Sequence, residues 1–128
     1  MTDDTTGRSR HVSQWIDADA AEVYAFAVDP ANLPRWAAGL ADPALADVEV
    51  EFAPRNDFGV LDHVVTLPSG TRFYNPMRVI PAGLDEPGCE VVFTVRRFAG
   101  VTDEGFAADV EAVAADLATL RSVVESSG

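Results

Sequence analysis

The chain has 128 residues, enough for one domain of ordinary size, and its 48% apolar and 23% charged composition reads as globular. Nine basic residues stand against 21 acidic ones, and a formal net charge of −12 repels phosphate, excluding nucleic-acid binding and disfavouring anionic membranes. All nine basic residues are arginine, which removes lysine chemistry, and the single Cys89 excludes an intrachain disulfide or a Cys-rich zinc site.

In chain order, residues 1–8 are expected to be a disordered tail, with a folded domain over 9–126. The tail is polar and acidic, unlike a signal peptide, and no apolar run approaches the roughly 20 residues of a membrane span, so the expected location is cytoplasmic. Residues 10–16 alternate as a strand, with Val12 and Gln14 on one side and His11, Ser13 and Trp15 on the other. Asp19 and Glu22 have the spacing of a capping box and open a helix through Val23, Tyr24, Phe26 and Ala27. A second short helix starts at Asp29-Pro30, with Asp as N-cap and Pro at the first helical position, and reaches Trp36. Residues 37–47 are loop-like.

From residue 48 the period becomes two, with Val48, Val50 and Phe52 alternating with Glu49 and Glu51. Four strands are legible: 48–52, 60–67, 71–80 and 90–98. Pro68-Ser69-Gly70 marks a hairpin between the second and third. Phe106, Val110, Val113, Leu117, Leu120 and Val124 then form an unbroken helical stripe. Thr102 is its natural N-cap, and a helix over 103–125 would be roughly 34 Å long. Helices and strands are segregated, so the fold class is α+β: a curved antiparallel sheet wrapped on one long C-terminal helix, with two short helices after the first strand.

Three of these segments carry a resemblance. Residues 16–24 (I-D-A-D-A-A-E-V-Y), residues 29–36 (D-P-A-N-L-P-R-W) and the closing stripe resemble the START-like, helix-grip superfamily, which includes polyketide cyclases and birch-pollen-allergen-like proteins. Residues 56–63 (N-D-F-G-V-L-D-H) resemble a signature of a small, cyclase-like bacterial branch. The resemblance implies a pocket between sheet and last helix, in a fold that hosts enzymes, carriers and co-chaperones alike. Members usually carry six strands between the helix pair and the last helix. The four legible here imply a smaller sheet and a smaller cavity.

Two polar residues lie on otherwise apolar strand faces. His63 follows Leu61 and precedes Val65 and Leu67; it is either a proton donor and acceptor inside a cavity or a core histidine bonded to backbone. Asn75 shares a face with Phe73, Met77 and Val79, and its amide must be satisfied by protein or by ligand. Pro76 breaks the ladder beside it, as at a bulge or an edge. Of Arg96 and Arg97 one must face inward, where it needs a carboxylate partner or an anionic ligand. Arg78, on the opposite face, is placed to pair with Asp62 or Glu90.

The reading that follows is a binding protein for a small hydrophobic or aromatic molecule, monomeric or homodimeric, with no cofactor, no metal, no nucleic acid and no membrane. In its catalytic version, of cyclase or dehydrase type, His63 shuttles a proton and Asn75 holds a carbonyl or enolate oxygen. Trp36, Phe58, Met77 and Phe93 line the pocket, and Arg97 is the candidate anion contact. The alternative is a protein-interaction module resembling the chaperone-activator branch, with its sheet–helix interface filled. A cavity that reaches His63 distinguishes the first from the second.

Overall fold

The structure is a computed structural model describing residues 9–37, 47–98 and 100–127. The expected tail and most of the expected 37–47 loop lie outside the described residues. Strand β1 (Ser9–Ile16) leads through helix α1 (Ala20–Val28) and a 3₁₀ turn (Pro30–Asn32) into the single turn α2 (Leu33–Trp36). Strands β2 (Glu49–Phe52), β3 (His63–Thr66), β4 (Arg72–Asn75), β5 (Met77–Pro81) and β6 (Cys89–Arg96) follow, and α3 (Asp103–Ser127) closes the chain.

Local chemistry accounts for most of these limits. Asp29 caps the 3₁₀ turn, its carboxylate accepting from Ala31 N–H at 3.0 Å. Thr102 caps α3 through its hydroxyl, which accepts from Gly105 N–H at 3.0 Å. Asp19 has N-cap backbone geometry, but its side chain makes no cap bond, so the expected capping box is not formed. Asn56 holds the 54–60 loop from both ends: its amide donates to Pro54 and Val60 carbonyls, and its oxygen accepts from Phe58 and Val60 N–H groups. At the end of that loop Gly59 adopts φ +71°, and a Cβ there would sit 2.2 Å from the Val79 carbonyl oxygen.

The strands form two antiparallel three-stranded sheets, β1–β6–β5 and β2–β3–β4. The single strand expected over 71–80 is therefore two, and among the described residues five strands, not four, separate the helix pair from α3. Pro76, which has no N–H to give, divides them. No residue is inserted there. His63 opposes Asn75 and Val60 opposes Arg78, so one register runs through the break and the sheet turns a corner without a bulge.

At that corner Leu61 N–H donates to Met77 C=O at 2.8 Å, but the reciprocal partners lie elsewhere. Met77 N–H donates to the Asp62 carboxylate at 2.9 Å, and Leu61 C=O accepts from the His63 ring at 2.9 Å. An antiparallel pair of this kind ordinarily exchanges both bonds. Two side chains have taken over one of them.

The core sits where α1, both sheets and the C-terminal half of α3 meet, around Ile16, Val23, Leu61, Met77, Val91 and Leu120. Of the α3 stripe, Leu117, Leu120 and Val124 are fully buried, whereas Phe106, Val110 and Val113 are only half-buried. The stripe was expected to pack along its whole length. Its first half is instead less enclosed, and Val113, Asp116 and Leu117 at mid-helix border the site described next.

Candidate ligand-binding site

A cavity of about 210 Å³, partly open to solvent, lies between α2, the sheets and the middle of α3. Leu33, Trp36 and Ala37 form one wall, and Val113, Asp116 and Leu117 of α3 form another. The sheet side is Val50, Val65 and Phe93 together with the two polar residues His63 and Asn75. Alternation along each strand places these five inward, since Val50 pairs with Val65 and His63 with Asn75 across the β2–β3–β4 ladder.

His63 is buried and held on three sides. Its Nδ1 lies 2.9 Å from Leu61 C=O; a carbonyl can only accept, so Nδ1 carries the proton and Nε2 presents a lone pair. Phe52 and Phe93 flank the ring at 5.2 and 5.8 Å between centroids. Burial pushes the imidazole below its ordinary pKa, outweighing the Leu61 bond and the Asp62 charge, which act the other way. The ring is therefore neutral near pH 7. Asn75 Nδ2 stands 3.5 Å from Nε2, at the far limit of a hydrogen bond.

Of the residues proposed from sequence, His63, Asn75, Trp36 and Phe93 come together around this cavity. Three do not. Met77 lies wholly inside the core beneath the sheet corner. Phe58 is 84% exposed on the 54–60 loop and borders a separate depression between that loop and α1. Arg97 is buried, but past the end of β6: it donates to Val101 C=O, pairs with Asp103 and lies over the Phe106 ring. A carboxylate partner, and not a ligand, satisfies it there.

The outer side of the corner carries an ion pair that the strand alternation had indicated. Arg78 reaches both Asp62 oxygens at 3.2 Å, and Tyr74 O–H donates to the same carboxylate at 2.7 Å. Burial pushes the Asp62 carboxyl up, but the bonds from Arg78, Met77 and Tyr74 and the Arg78 charge outweigh it and hold the group below its ordinary value. Cys89 is buried and its thiol pushed up to about 11, which keeps it protonated at neutral pH. Among the described residues no three metal-ligating side chains converge, and no helix is long and apolar enough to cross a membrane.

Asp116 was not singled out from sequence, although it directly precedes Leu117 and falls three residues after Val113, on the flank of the stripe. Trp36 adds a further feature. Its ring lines the cavity, yet its buried indole N–H has no hydrogen-bond partner among the described residues.

A curved antiparallel sheet gripping one long C-terminal helix, with a helix pair inserted after the first strand, is the helix-grip fold, and this chain has it. No known family profile matches the sequence, and no curated protein is significantly similar to it. Solved structures are similar in fold. Truncated norcoclaurine synthase from Thalictrum flavum aligns with a TM-score of 0.55 at 14% identity, covering 96% of this chain and 98% of its own. A protein from Thermus thermophilus, TTHA0849, aligns with a TM-score of 0.50 at 17% identity, covering 94% and 99%.

Proposed function

We propose that this protein binds a small apolar or aromatic molecule in the cavity between the sheet and α3. The observation that carries the reading is an apolar chamber reaching His63, where a filled interface would have favoured the interaction module. Its volume of about 210 Å³ suits a ligand of one substituted ring, since an apolar cavity of about 150 Å³ takes up benzene. Larger polycycles would need the helix to move. The His63 Nε2 lone pair and the Asn75 amide supply the few convergent polar groups typical of such sites. In the catalytic version Nε2 is a general base and Asn75 holds the oxygen on which charge develops, chemistry of the cyclase or dehydrase type.

Titration of single-ring aromatic probes, followed by Trp36 and Trp15 fluorescence, tests this reading. Saturable quenching and a raised melting temperature are expected, because a ligand that binds only the folded state stabilises it. Val113→Trp should fill the chamber, abolish the quenching and leave the fold cooperative. Absence of saturable binding by every such probe would end the proposal.

A further inference from the structure

Building on the cavity reading, we propose that the ligand is a neutral hydroxyl compound of the phenol or enol class, its oxygen bridging His63 Nε2 and Asn75 Nδ2 in place of their long mutual contact. The tautomer decides the polarity. Leu61 C=O fixes the His63 proton on Nδ1, so Nε2 toward Asn75 can only accept. That assignment is built into the backbone, because the same carbonyl has lost its ladder donor to Asp62. Asn75 Nδ2 is a donor, and its 3.5 Å distance leaves the pair loosely closed. The two groups thus ask for one atom that donates to the first and accepts from the second.

A hydroxyl does both. A carbonyl or ether oxygen only accepts: Asn75 would serve it, but its lone pairs would face that of Nε2. A carboxylate or phenolate suffers the same mismatch and adds an anion to a chain of net charge −12. An ammonium would bring a full charge into a chamber whose walls are Leu33, Val50, Val65 and Phe93, at a high desolvation cost. Burial keeps the imidazole neutral, so the acceptor persists at neutral pH.

The experiment compares phenol with toluene, which has the same number of heavy atoms, and with benzaldehyde, benzoate and benzylamine, on the full chain near neutral pH. Phenol and toluene should both bind. His63→Leu should weaken phenol roughly tenfold, the value of one buried hydrogen bond, and leave toluene nearly unchanged. In the unmodified protein the ¹⁵N resonance of His63 Nε2 should move with phenol and stay fixed with toluene, which decides the matter even if the variant does not fold. Equal movement with benzaldehyde, or tighter binding of benzoate or benzylamine than of phenol, would overturn the hydroxyl assignment alone. Failure of every probe, toluene included, would remove the cavity reading and this inference together.

Discussion

At the residue scale the sheet corner ties a backbone defect to a functional group. Asp62 occupies Met77 N–H, His63 takes the carbonyl left over, and the outcome is an imidazole with its free nitrogen facing Asn75. Asp62→Leu leaves the Met77 N–H buried and unpaired, and should cost about 1–3 kcal/mol by urea unfolding. The same pair of residues sets the response to acid. His63 binds its proton more weakly when folded, through burial and despite Leu61 and the neighbouring Asp62 charge; Asp116 borders the same cavity. Below about pH 6.5 the unfolded chain therefore binds more protons at this site, and stability falls as pH drops from there toward the depressed folded value. Asp62, with its carboxyl lowered, adds stability above the ordinary carboxyl range that is lost as pH falls through its folded value. Unfolding midpoints near pH 7.5 and pH 5.5 should differ, and less so in His63→Gln; an identical difference in both proteins would exclude His63 as the source. Trp36→Phe removes an unpaired donor along with some packing volume. It should change stability by less than about 1 kcal/mol, well below the usual cost of truncating a buried aromatic.

Among the elements, α3 is two helices in energetic terms. Leu120→Ala should cost about 2–5 kcal/mol, because the side chain is fully enclosed, and Val110→Ala less than about 1 kcal/mol. Thermal melts of the two variants measure the contrast; equal losses would mean that the first half of the stripe is as tightly held as the second. The stripe itself was plain in the sequence, as were the Asp29 and Thr102 caps, the Pro68-Ser69-Gly70 hairpin and the inward faces bearing His63 and Asn75, since each follows from local period or cap chemistry. The division at Pro76 was visible as a break but not as a corner, because what happens there depends on Asp62, which lies on the preceding strand side of the hairpin. Met77 and Arg97 were misplaced for a related reason, and Phe58 because a loop residue has no period to place it. Alternation tells which side a strand residue faces but not whether that side meets a cavity, solid core or a loop. Nor can it foresee that Asp103 reaches back to neutralise Arg97. Asn56 acts through bonds to residues 54, 58 and 60 in a loop that carries no period, and Asp116 matters by its position on the cavity wall.

For the whole molecule, the charge of −12 predicts no nucleic-acid binding at physiological salt, and a salt-sensitive mobility shift at submicromolar protein would contradict it. The long helix is also fastened unevenly. Its start is held by Arg97 on Asp103, and its far end by Leu117, Leu120 and Val124 and by Glu125, which accepts the Asp17 N–H at 2.9 Å. Between these anchors lie Val110 and Val113, both only half-buried, the second lining the chamber. Local opening is cheapest where least surface must be exposed, so this stretch should breathe more often than the rest of the helix. Amides near 110–113 should then exchange with solvent faster than those near 117–124, and a bound aromatic probe should slow the first group and hardly touch the second. If so, the rate at which a ligand enters is governed by how often this span of helix lifts, and occupancy, once gained, closes the door behind it.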